Sequence, residues 1–251
     1  MKDYPAAHSM DSTWFAVDED GHIAFFDTGE GGPLPAADFP MGGEAAGMHE
    51  EGLEASTMIA ILLWERAKND AELRALLPDD EDTLEQWIGW EEQELLLISL
   101  GVWAYSGDYG GVPYARLGTV KRPVTLADLP EEIADQLEDA KLPVRFASAD
   151  RVAPGEHVPV HSWSGMWVDL EGVAHPTEDG TDPATLDEAN AAEAEAPWVP
   201  EQKVALEGEA LLVLLRTTLR QGKEDAERWA ASEAKPSGLI GWLTKLFRGD
   251  A

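Results

Sequence analysis

The sequence predicts an α+β fold: a mainly antiparallel β-sheet with covering helices, followed by a helical C-terminal part. Three observations carry this reading. Two short aromatic runs flank an Asp-Gly turn near the start of the chain. Apolar residues crowd the stretches 53–68 and 204–220, which are long enough for helices. Between them lie several short runs of strand-type residues bounded by glycine and proline. The expected organisation is a core domain over 1–175, an acidic Pro/Ala-rich excursion over 176–200, and C-terminal helices over 201–251 that pack on the core.

The elements follow in chain order. Thr13–Val17 and His22–Phe26 form a hairpin through Asp18-Glu19-Asp20-Gly21. Both faces of each strand are apolar, which puts the hairpin inside the sheet. Gly29 to Gly47 is rich in Gly, Pro and Ala and reads as irregular. A buried helix covers Leu53–Lys68, and Ala71–Leu77 is a short helical turn ended by Pro78. Asp82 or Thr83 caps a third helix through Leu84, Trp87 and Ile88. The apolar run Leu95–Leu100 fits helix or strand; it is assigned as a strand that bends at Gly101 and continues through Val102–Tyr105. Tyr114–Val120 is a further strand. Asp128-Leu129-Pro130 followed by two glutamates starts a helix, with proline in its first turn and acids at the positive dipole end. Strands follow at Val144–Ala147, Val158–Trp163 and Met166–Leu170. Helices at Val204–Arg220, Glu224–Glu233 and Leu239–Phe247 complete the chain.

Composition narrows the function classes. The chain has no cysteine, which excludes disulfides, thiolate nucleophiles and cysteine-bound metals. The opening Met1-Lys2-Asp3-Tyr4-Pro5 lacks a basic region followed by an apolar core, and no apolar run approaches the roughly 20 residues of a membrane span. A cytoplasmic location is expected. The formal charge is −31, from 49 acidic and 18 basic residues. Such a field disfavours nucleic acid and anionic membrane and favours a basic partner. Solubility, docking of a basic protein and mimicry of DNA are the three uses such charge could have.

Candidate sites are sparse. His157, His161 and His175, with Glu156 beside them, are the one histidine group with metal-ligand chemistry. A helix would bring His157 and His161 to one face, but Pro159 argues against helix there. On a strand, residues four apart stand about 13 Å apart, too far to share an ion. Histidines near a sheet edge are the plainer expectation. Asp27-Thr28-Gly29-Glu30-Gly31-Gly32 is glycine-rich, yet Pro33 rather than a helix start follows, so no phosphate cradle is expected. No Gly-x-Ser-x-Gly elbow surrounds Ser162 or Ser164, and Glu91-Glu92 and Glu131-Glu132 read as solvated helix faces. No cofactor is implied. Near the end, Trp242, Leu243, Leu246 and Phe247 make an apolar helical stripe, with Lys245 and Arg248 among them, that suits a partner or the domain's own core.

The run Trp14–Asp18 with Gly21–Ala24 resembles the strand–turn–strand openings of small acidic bacterial proteins, among them immunity proteins that neutralise toxins. That resemblance implies a bacterial, non-enzymatic role. The expected function is therefore an acidic binding protein, with neutralisation of a basic protein partner as its most concrete form. The alternatives are a metal-dependent hydrolase built on the histidine and carboxylate groups, and a scaffold that associates through the C-terminal apolar helix.

Overall fold

The computed structural model describes residues 12–29, 34–35, 39, 41–43, 53–89, 92–107, 113–158, 160–162, 166–168, 174–176 and 199–233. Strands β1 (Ser12–Val17) and β2 (Ile23–Asp27) form the expected hairpin, with Trp14 opposite Phe26 and Phe15 opposite Phe25. All six residues of β1 are buried, as the two-sided apolar pattern requires. The short strands β3 (Leu34–Pro35) and β4 (Met41–Gly43) lie in a stretch expected to be irregular. Antiparallel β4 flanks β1 on its outer side.

Four helices then cross from β2 to the next strand: α1 (Ala55–Ala67), α2 (Ala71–Arg74), α3 (Glu81–Trp87) and α4 (Gln93–Leu100). Asp70 caps α2, its carboxylate accepting from the amides of Glu72 and Leu73. Asp80, rather than Asp82 or Thr83, caps α3 by accepting from the Thr83 amide at 2.8 Å. The two predicted caps lie inside the first turn, where their side chains have no orphan amide ahead of them.

The segment 95–100 is helix, not strand. It is leucine-rich rather than β-branched. Gly101, at φ 108°, closes it with three backbone bonds, from its own N–H to the Leu97 and Ile98 carbonyls and from Val102 N–H to the Leu97 carbonyl. Only after that turn does β5 (Trp103–Ser106) begin.

β5 runs parallel to β2, and the four helices supply the long crossover that parallel neighbours need. The fold is α+β and its main sheet mainly antiparallel, as expected, with the β2–β5 pair as its one parallel pairing. After β5 come β6 (Tyr114–Arg116), β7 (Gly118–Thr119), α5 (Glu131–Glu138) and β8 (Arg151–Val152). The order across the six-stranded sheet is β4-β1-β2-β5-β6-β8. A second, four-stranded sheet joins β9 (Val160–Ser162), β10 (Met166–Val168) and β11 (Ala174–Pro176) to β3, all antiparallel. The short strand β12 (Lys203–Val204) lies parallel to β7.

One helix, α6 (Glu209–Glu233), replaces the two expected over 204–220 and 224–233. Gly222 does not break it. A Cβ at that position would lie 1.9 Å from the Trp87 carbonyl oxygen, so the glycine lets α6 cross closely over α3. Leu211, Leu215 and Leu219 of α6 join the same buried cluster as β1 and β2. Among the described residues, no helix is long and apolar enough to cross a membrane. Residues 177–198, which make up most of the expected acidic excursion, lie outside those described.

A row of rings runs across the main sheet. Trp14 stacks on Phe26 at 3.9 Å and Phe26 on Tyr105 at 5.1 Å, while Tyr114 meets both Trp14 and Phe26 edge-on. The Trp14 indole N–H donates to the Tyr114 hydroxyl at 3.2 Å. Phe146 completes the group at 6.0 Å from Phe26 and 5.7 Å from Tyr105.

Phe146 belongs to a segment expected as a strand, 144–147, which is instead a turn. Its backbone needs no ladder because side chains satisfy it. The Phe146 amide donates to the Asp18 carboxylate at 2.9 Å, and the Tyr105 hydroxyl donates to the carbonyls of Phe146 and Ala149. Asp18 is buried at the tip of the β1–β2 hairpin, where it also accepts from the amides of Asp20 and His22.

Two predictions follow from this packing. Asp18→Ala strands three backbone donors and lowers the free energy of unfolding by about 3 kcal/mol, measured by urea denaturation; a loss below about 1 kcal/mol would mean that water replaces the carboxylate there. Burial raises the phenol pKa of both Tyr105 and Tyr114 above the ordinary tyrosine value. The stability they give is complete below the unfolded value of about 10 and falls as pH rises beyond it. Alkaline titration should therefore show their tyrosinate absorbance appearing together with loss of near-ultraviolet circular dichroism. Ionisation of all four tyrosines before any loss of structure would contradict it.

Candidate functional site

Chemistry-bearing side chains gather at two places among the described residues. The first is the hairpin tip, where ligand atoms of Asp18, Asp20 and His22 lie within 4.8 Å of one another. The geometry there is structural. The Asp18 oxygens are taken up by three amides, and His22 Nδ1 lies 3.3 Å from Oδ2. A carboxylate committed in this way already has the partners that a buried charge needs.

The second place is a cleft of about 620 Å³ between the end of α1, the α4–β5 turn, the segment after β7 and the start of α6. Three of the 18 basic residues of the chain line it: Arg66, Lys121 and Arg122. Two carboxylates face them. Asp70 is occupied by its cap on α2. Glu207 is shared, at 3.3 Å from Lys121 Nζ and 3.9 Å from Arg122 Nε. Arg66 donates to the neutral Leu100 carbonyl at 2.6 Å. Burial and the neighbouring Arg122 charge hold the Arg66 guanidinium below its ordinary pKa, with Glu207 acting in the opposite sense. The bottom of the cleft is apolar, formed by Leu63, Leu73, Ile98, Leu100, Leu211 and Leu215. A Cβ on Gly101 would stand 2.4 Å from the Arg122 carbonyl oxygen, so the glycine admits the basic segment to this position.

The surface elsewhere is acidic. Helix α5 exposes Glu131, Glu132, Asp135 and Glu138, with Asp139 just after it, and none of the five forms an ion pair among the described residues. No Lys or Arg occurs between 123 and 140 to neutralise them. The helix is held firmly: Leu137 is fully buried, and Val17 bonds to both Ala140 and Leu142. Asp79, Glu81 and Asp82 make a smaller acidic group at the start of α3.

Of the residues singled out from sequence, His157 closes a 3₁₀ turn at Pro154–Glu156. His161 and His175 lie on β9 and β11, each paired with Trp167 of β10. Their backbones are thus two strand spacings apart, about 9–10 Å. Trp242, Leu243, Leu246 and Phe247 lie outside the described residues. Sequence reading missed the basic cleft. Its trace is Lys121-Arg122, the only adjacent pair of basic residues in the chain. Comparison with known protein families, curated proteins and solved structures finds no match.

Gly101→Ala forces a left-handed backbone and a clash into the cleft wall. It should lower the free energy of unfolding by about 2–4 kcal/mol in a denaturant titration. Unchanged stability would show that the Arg122 segment is free to move away.

Proposed function

We propose that this chain is a cytoplasmic, non-enzymatic binding protein that docks a basic protein partner, with immunity-type neutralisation as the most concrete form of that role. The observation that supports it most is α5. Four exposed carboxylates on this short, well-anchored helix and that of Asp139 just after it have no cation among them. Like charges held this close repel one another, and that cost is relieved when lysines or arginines of a partner arrive.

The overall charge of −31 adds long-range attraction for such a partner and repulsion of nucleic acid and anionic lipid. The binding energy of a contact steered in this way depends on salt, since the Debye length shortens from about 30 Å at 0.01 M to about 8 Å at physiological ionic strength. Anchoring also matters. A helix tied to β1 through Val17 presents its carboxylates on a backbone that is already ordered before binding.

Immobilised protein should capture a basic protein from bacterial lysate at low salt and release it at high salt. A variant carrying Glu131→Gln, Glu132→Gln, Asp135→Asn, Glu138→Gln and Asp139→Asn should lose that capture while keeping its thermal stability. Capture of nothing by the natural chain, or equal capture by both proteins, would refute the proposal.

A further inference from the structure

Outside the cleft, the ion-paired lysines and arginines among the described residues each have at least one acid to themselves, Lys68, Arg116, Lys203 and Arg228 having one and two others having two. Arg145 lies near Glu19 and Asp20, at 3.2 and 3.8 Å, and Arg216 near Glu209 and Glu72, at 2.8 and 2.9 Å. With 49 acidic side chains available, that is the expected outcome. The cleft reverses it. Lys121 and Arg122 share the single carboxylate of Glu207, and Arg66 makes no ion pair among the described residues. Two guanidinium groups, those of Arg66 and Arg122, also stand near enough to repel each other, and the second acid of the lining, Asp70, is taken up by its cap on α2.

The rest of the cleft points the same way. Helix α6, 25 residues long, starts just after Gly208 of the cleft lining, so its positive end lies at the cleft edge, with Glu209 in its first turn. Below the cations the walls are leucine and isoleucine side chains. A volume of about 620 Å³ is that of a small-molecule site.

We infer that this cleft binds a small organic anion, with a carboxylate or phosphate head held by Arg66, Lys121 and Arg122 and an apolar body laid on the leucines beneath. Guanidinium groups suit either head because their paired N–H donors match two oxygens at once. The global negative charge does not forbid this. At physiological ionic strength, charges beyond about 8 Å are largely screened, and inside the cleft the three cations outnumber the two carboxylates, Asp70 and Glu207. The inference is independent of the acidic face on α5.

Octanoate, octyl phosphate and neutral octanol serve as probes, each titrated into the full chain by isothermal calorimetry, with melting temperature followed in parallel. Both anions should bind and raise the melting temperature, and octanol should bind at least roughly tenfold more weakly. Arg66→Gln and Arg122→Gln should each weaken octanoate binding by about tenfold or more. The Arg122 side chain is 88% exposed, so its substitution keeps the test valid even if Arg66→Gln impairs folding. Three outcomes overturn the inference: no binding of either anion, octanol binding as tightly as octanoate, or unchanged octanoate binding by Arg122→Gln.

Discussion

One buried carboxylate holds together parts of this fold that are far apart in sequence. Asp18 follows β1, turns the hairpin through the amides of Asp20 and His22, and fixes Phe146, more than a hundred residues away, through its amide. Phe146 can then close the ring cluster of Trp14, Phe26, Tyr105 and Tyr114. The preceding residue, Val17, bonds to the chain leaving α5. The hairpin tip thus sets both the edge of the core and the position of the most acidic helix. A buried charge is tolerable there only because its oxygens are met by amide donors.

That arrangement divides the acids of the chain by use. A few serve the backbone: Asp18 in the hairpin, Asp70 and Asp80 as helix caps, and Asp128 in the capping box with Thr125. Others pair with the scarce cations. A further group, on α5 and at the start of α3, faces solvent without ion pairs among the described residues. None of these last residues belongs to the core, which is built from aromatic and aliphatic side chains. Their cost is self-repulsion, which a basic partner would remove. The cleft beneath Arg66 and Arg122 is the opposite case, a small positive site in a negative molecule.

Much of the fold was legible from the residues themselves. The hairpin could be read because its aromatic runs flank Asp-Gly, a turn whose chemistry is local. Helices α1 and α5 likewise carry their signals within a few residues. What misled were segments whose conformation is decided from a distance. Leu95–Leu100 has the apolar density of a buried strand, and its leucine content and the following Gly101 were outweighed by that density. Phe146 looked like a strand residue because the carboxylate and hydroxyl that satisfy its backbone come from Asp18 and Tyr105. The helices expected over 204–220 and 224–233 are one, and the close neighbour that calls for glycine at 222, Trp87, is distant in sequence. The cleft was hidden for the same reason. Arg66, Lys121 and Glu207 mean little until the crossover and β12 bring them together.

The central claim is that α5 is the contact surface for a basic partner, while the remaining acidity serves solubility and steering. Nuclear magnetic resonance footprinting tests it most directly: amide signals of the labelled chain are followed as the captured basic protein is added. The account predicts shifts or broadening centred on residues 131–139, fading as salt is raised. Perturbation centred elsewhere, with 131–139 unchanged, would contradict it.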